Sequence, residues 1–133
     1  MDDETQGPDA NLLSSQETFR IRGAVYEVSR QLGTGFLEAV YQEALALEFL
    51  EQNIPFAASP PLAISNKGTL LAQSYRPDYV CFDSVIVELK AVRELAPDHR
   101  AQTLSYLKAT GLRVALLVNF GCAPKARVER LVL

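Results

Sequence analysis

Apolar and polar positions change rhythm several times along this chain, and each change marks a new element. Ile21, Ala24, Val25, Val28 and Leu32 recur at helical spacing until Gly33 interrupts them. Ser14-Ser15-Gln16-Glu17 has the form of a capping box, so a first helix is predicted from Ser14 to Gly33. After Gly33-Thr34-Gly35 the spacing predicts a second, with Leu37, Val40, Tyr41, Ala44, Leu45 and Leu47 as its apolar stripe and Asn53 and Pro55 ending it. On that helix Glu38, Tyr41 and Leu45 share one side.

From Phe56 the helical rhythm is lost, and Pro60-Pro61 excludes helix. Leu62-Ala63-Ile64-Ser65, Asn66-Lys67-Gly68 and Thr69-Leu70-Leu71 read as strand, turn and strand, the start of a meander. Two more strands are expected near Tyr75 to Phe82 and Val85 to Ala91. Asp83-Ser84 between them is too short for anything but an antiparallel hairpin, which sets Asp78 opposite Glu88. Pro97 and Asp98 open a third helix that runs through Ala101, Leu104 and Leu107 to Gly111. Arg113 to Phe120 then reads as a buried strand, and Arg127 to Leu133 as a last one. The order helix, helix, strands, helix, two strands is that of an α/β or α+β domain. Residues 1 to 13, with four acidic side chains, Gly7 and Pro8, read as a disordered acidic tail ahead of a single domain over 14–133.

Composition narrows the class. A chain of 133 residues can bury roughly two thirds of its unfolded surface as one domain. With 48% hydrophobic and 22% charged residues, it has the balance of an ordinary globular protein. No apolar stretch approaches the roughly 18 residues of a membrane span, and Met1-Asp2-Asp3-Glu4-Thr5-Gln6 has no signal-peptide character. A cytoplasmic location without membrane contact is expected. Two cysteines, Cys81 and Cys122, make neither a disulfide framework nor a zinc site and are read as reduced packing residues. The net charge of -3 lacks the basic balance of a strong nucleic-acid binder.

Candidate chemistry centres on Arg76-Pro77-Asp78-Tyr79-Val80 and Val85-Ile86-Val87-Glu88-Leu89-Lys90-Ala91. In the second string Val85, Val87, Leu89 and Ala91 point one way and Ile86, Glu88 and Lys90 the other. A carboxylate and an ammonium in so apolar a strand need partners or a bound cation, since burying either alone costs several kcal/mol. Asp78 and Glu88 could ligate Mg²⁺ or Mn²⁺, with Lys90 orienting or deprotonating an attacking water, or offsetting charge on a phosphate oxygen. Taken alone, Glu-x-Lys is more often a weak surface pair. Glu38 is a further carboxylate beside Tyr41 and Leu45. On the third helix His99, Gln102 and Tyr106 share a face, and His99, the one histidine, excludes a multi-histidine metal site. Arg76, Arg93, Arg100 and Lys108 could form a local basic patch that the net charge conceals.

Gly35-Phe36-Leu37-Glu38-Ala39-Val40-Tyr41 resembles the signature of the GxxExxY protein family, part of the PD-(D/E)XK nuclease superfamily. The resemblance runs from about Glu17 to the C-terminus. It takes in Arg76-Pro77-Asp78, Val87-Glu88-Leu89-Lys90-Ala91, His99-Arg100-Ala101-Gln102, Tyr106 to Gly111 and Asn119-Phe120-Gly121. It implies a restriction-endonuclease-like core, a mixed central sheet flanked by helices. It also implies a metal-dependent nuclease in which Glu38, Asp78 and Glu88 hold Mg²⁺ or Mn²⁺ and Lys90 is the catalytic lysine. Gln102 and Tyr106 resemble the Gln-x-x-x-Tyr motif of the superfamily's exonuclease branch, where the pair helps hold the lysine or the DNA. Family members commonly carry a histidine and a proline where this chain has Ser29-Arg30-Gln31-Leu32-Gly33-Thr34-Gly35.

Two function classes follow. The first is a nuclease hydrolysing DNA or RNA, with Arg76 and His99 as further nucleic-acid contacts. The second is a non-catalytic module that keeps the nuclease fold to bind nucleic acid or a protein partner. A homodimer that builds the binding groove would compensate for the small size.

Overall fold

In a computed structural model, residues 14–133 are described; the expected tail over 1–13 lies outside them. In chain order the elements are α1 (Ser15–Leu32), α2 (Glu38–Glu51), β1 (Phe56–Ala58), β2 (Leu62–Asn66), β3 (Thr69–Tyr75), β4 (Tyr79–Cys81), β5 (Val85–Lys90), α3 (Pro97–Thr110), β6 (Val114–Asn119) and β7 (Arg127–Val132). Five strands form the central sheet in the order β1-β4-β5-β6-β7, and β2 and β3 form a separate hairpin. Only β5 and β6 pair in parallel; the other pairs are antiparallel.

The alternation along β5 assigns its two rows to two layers. Val85, Val87 and Leu89 enter the larger core, with Ile21, Val25, Tyr41, Leu45 and Phe49 from α1 and α2 and Val114, Leu116 and Val118 from β6. Ile86 faces the opposite way, into a smaller core with Tyr75, Val80, Leu107 and Ala115, bordered by Leu62, Ile64 and Leu104. Helices α1 and α2 therefore cover one face, and α3 with the β2–β3 hairpin covers part of the other. All six residues of β6 are buried, as expected for a strand covered on both sides.

The local expectations fare unevenly. Ser14 precedes α1 with φ of 55° and its side chain makes no capping bond, so no capping box forms. The buried stripe of α2 is Tyr41, Leu45 and Phe49, while Leu37, Val40 and Leu47 are exposed. The stripe follows i, i+4, i+8 because these positions meet α1 and the sheet. On α3, Leu107 is buried, but Ala101 is exposed and Thr103 takes the inner position. The expected meander is interrupted: β2 and β3 pair with each other, and β1 takes the sheet edge beside β4. The cysteines are free, Cys81 buried and Cys122 half-buried. Among the described residues no helix is long and apolar enough to cross a membrane.

Candidate active site

The β4–β5 register pairs Tyr79 with Val87, so Asp78 and Glu88 stand opposite each other just past the end of β4. Each carboxyl accepts a backbone N–H from the facing segment. The Asp78 N–H donates to Glu88 Oε1 at 3.0 Å, and the Leu89 N–H donates to Asp78 Oδ2 at 2.7 Å. The carboxyls are thereby held side by side, with rotamers fixed by the sheet. Lys90 follows on the same row as Glu88, half-buried, and among the described residues it forms no ion pair.

Two further elements close on this edge. Gly35 has φ of 106°, a backbone conformation that disfavours side chains, and it turns the chain into α2. Tyr41, fully buried and stacked on Phe120 at 4.5 Å, donates its hydroxyl hydrogen to the Gly33 carbonyl at 2.6 Å. The same oxygen accepts from the Phe36 N–H at 3.3 Å. The tyrosine of the Gly-x-x-Glu-x-x-Tyr segment thus fixes the loop, and Glu38, one turn earlier, is presented at the helix start. The Glu38 carboxyl is raised above its usual range, first by partial withdrawal from water and then by the charge of Asp78; Lys90 and His99 pull the other way. Glu38 thus lies within electrostatic reach of Asp78, Lys90 and His99. From the other face, α3 brings His99, whose Nδ1 accepts the Ala96 N–H at 3.1 Å. That bond makes Nδ1 an acceptor and leaves Nε2 as the ring's donor.

Tyr75, at the end of β3, is a site residue that the sequence reading passed over. Its hydroxyl donates a very short hydrogen bond to Glu88 Oε2, and its ring lies flat on Tyr106 of α3, 3.6 Å between centroids and 7° between planes. Both oxygens of Glu88 are therefore held from outside its own strand. Its apolar position before Arg76-Pro77-Asp78 gave the only signal, since the bond spans 13 residues.

Burial and then the adjacent Asp78 push Glu88 up to about 7, against the lowering effect of the Tyr75 and Asp78 N–H bonds. Burial and the neighbouring carboxylates likewise raise the Tyr75 phenol far above its usual value, so it stays a donor.

Other expected residues are dispersed or engaged. Gln102 is exposed on α3, and Tyr106 reaches the site through Tyr75. Arg76 donates to the Ser59 carbonyl at 3.0 Å, and Arg100 is paired with Glu129 at 2.7 Å, so these two do not form an open basic patch with Arg93 and Lys108. Ser29 is buried and its Oγ accepts the Ala126 N–H at 2.8 Å, a tie between α1 and the loop before β7.

A model of the PD-(D/E)XK nuclease superfamily matches residues 15–131, nearly the whole described chain. The chain belongs to the PD-(D/E)XK nuclease superfamily. No curated protein sequence matches it. Two solved structures are similar to it in fold. One is an alkaline exonuclease, LHK-Exo, from Laribacter hongkongensis, with a TM-score of 0.50 at 14% identity over 84% of this chain and 68% of that one. The other is SSO0001, with a TM-score of 0.54 at 18% identity over 94% of this chain. The chain spans 62% of the length of SSO0001. These likenesses establish the fold, a mostly antiparallel central sheet flanked by helices.

PD-(D/E)XK nucleases generally use divalent metals, and the donors here suit a hard cation. They are all oxygen, and the adjacent carboxyls of Asp78 and Glu88 resist joint ionisation, a repulsion that a cation would relieve. Among the described residues no group of three or more metal-binding side chains is close enough to form a cage. Mg²⁺ needs only one or two carboxylates, with water and substrate phosphates completing its shell.

Proposed function

We propose that this chain is a GxxExxY-type member of the superfamily that hydrolyses phosphodiester bonds of DNA, with RNA as the alternative substrate, using Mg²⁺ or Mn²⁺. The observation that carries the reading is the paired Asp78 and Glu88 with the Lys90 ammonium beside them, which forms no ion pair among the described residues. Asp78 and Glu88 would hold the ion, and Glu38 would complete the acidic set from the start of α2. The bound ion would polarise the phosphate and neutralise charge on its oxygens. Lys90 would hold the attacking water and offset the negative charge that grows as the new P–O bond forms and the old one breaks. The proton released by the water ends in solvent or on the leaving oxygen. Tyr75, braced by Tyr106, would keep Glu88 aimed at the ion, and the exposed Gln102 and His99 Nε2 would face the strand.

Cleavage of labelled single- and double-stranded DNA and of RNA, with Mg²⁺, with Mn²⁺ and with EDTA, tests the reading. Metal-dependent cleavage should fall at least about 100-fold in Asp78→Ala and in Lys90→Ala, with the fold retained by circular dichroism. Activity retained in either variant, or present in EDTA, rejects these roles. Binding without cleavage under every condition would favour the non-catalytic module.

A further inference from the structure

Beside the acidic site the sheet carries a second feature, a cavity of about 1060 Å³ over the ends of β6 and β7. Register places it next to the chemistry. Glu88 pairs with Leu117 and Leu117 with Glu129, while Lys90 pairs with Asn119 and Asn119 with Arg127. Leu117, Asn119, Arg127 and Glu129 all line the cavity, so its floor begins one strand away from Glu88 and Lys90. The first turn of α3 and the segment 93–95 form one wall, and residues 121–126 form the other.

That second wall is built tightly. Asn119 is buried, and its Oδ1 accepts the N–H groups of Val92 at 3.0 Å and Gly121 at 2.9 Å, clamping the two walls at their base. A Cβ on Gly121 would lie 2.1 Å from the Val92 carbonyl oxygen, so the close approach requires glycine there. The Asn119-Phe120-Gly121 segment thus forms the corner of the cavity.

Its charge contrasts with the whole chain. Arg93, Arg100, Lys125 and Arg127 line it against Glu94 and Glu129, a local excess of cations in a chain of net charge -3. Arg100 is held by Glu129, and the Lys125 ammonium lies over the Tyr26 ring at 4.7 Å. Among the described residues Arg93, Lys125 and Arg127 pair with no carboxylate. The volume lies at the top of the range for small-ligand sites, roughly 300–1,000 Å³, which suits a few nucleotides of one strand. A duplex instead spreads over roughly 1,000 Å² or more of protein surface.

We propose that this cavity receives a single nucleic-acid strand, whose phosphates next to the scissile one are held by Arg93 and Arg127. The proposal rests on the reading of the acidic site as the place of cleavage, and it makes the preferred substrate a single-stranded segment or end.

The test measures binding in EDTA, where metal-dependent cleavage is silent, by fluorescence anisotropy of a short labelled oligothymidylate across a salt series. Matched RNA and duplex DNA form parallel arms. Arg93→Ala/Arg127→Ala should weaken single-strand binding at low salt at least about tenfold and make the plot of log K against log salt shallower by about 1.4, at roughly 0.7 per phosphate. Arg93→Lys/Arg127→Lys should restore the slope, because it reports charge, and DNA and RNA strands should respond alike. An unchanged slope in the alanine variant, no single-strand binding by the wild type, or a slope change confined to the duplex overturns the proposal. Asp78→Ala should still bind the strand. Cleavage retained in Asp78→Ala, or absent from the wild type with every metal, while the cavity dependence of binding stays intact, would reject the catalytic reading alone.

Discussion

On one face of the central sheet Val85, Val87 and Leu89 are sealed beneath α1 and α2, in a core that also holds Tyr41, Phe49 and Phe120. On the other face Ile86 is sealed beneath α3, but Glu88 and Lys90 follow it in the same row toward water. The same six-residue strand is stabilising on one side and costly on the other. The sealed face supplies the burial that lets the second face keep two carboxyls in contact, a local arrangement that opposes folding once both ionise. The difference separates the face that makes this fold robust from the face that, on the proposed reading, would hold a cation.

The comparison can be broken most forcefully from the sealed side. Leu89→Ala should cost about 3 kcal/mol of stability in urea unfolding, because it opens a void in a fully buried position. Lys90→Ala, next in sequence but on the other face, should cost less than about 1 kcal/mol. Equal losses would mean that the two rows are not distinct.

Glu88→Gln should act in the opposite direction. The folded-state pKa of Glu88 is raised from 4.5 to about 7. Its ionisation therefore removes stability progressively between those values, and the loss is complete above about pH 7. In metal-free buffer the glutamine variant should be more stable than wild type at pH 8, by on the order of 2 kcal/mol, with the advantage vanishing below about pH 4.5. An advantage independent of pH would mean that repacking, and not charge, is responsible.

Tyr75→Phe sharpens the comparison at the boundary between the faces. It removes only the donor to Glu88 Oε2 and leaves the stack on Tyr106. Metal affinity should fall about 10- to 100-fold, the usual cost of losing a partner that orients a ligand. A Tyr106→Leu variant should weaken it less. The smallest effect concerns Cys81, whose thiol burial pushes up to about 12. It should resist alkylation at neutral pH in the folded protein and react only in denaturant.

What could be read from sequence was whatever depends on neighbours along the chain. The facing of Asp78 and Glu88 follows from the two-residue link Asp83-Ser84, and the division of the β5 residues follows from alternation; both hold in the register. Gly33 and Gly111 end their helices as expected. Long-range packing decided the rest. Leu37 and Leu47 are as apolar as Leu45, but the α2 residues buried in the core are Tyr41, Leu45 and Phe49, so the stripe on α2 was misjudged. The β2–β3 hairpin left the main sheet because its inner residues pack on α3. Tyr75 was missed for the same reason: its partners are Glu88 and Tyr106, both on other elements. The basic cavity assembles residues from 93 to 127, and a net charge of -3 gave no sign of it.

The central claim is that Asp78 and Glu88 form one cation site. Calorimetric titration of the purified protein with Mn²⁺ and with Mg²⁺, alongside Asp78→Ala and Glu88→Ala, tests it most directly. The account predicts one binding event in the wild type that is lost in both variants, with proton release that grows as the pH falls toward 7 and below. No heat at millimolar metal, or binding unchanged in either variant, would contradict it.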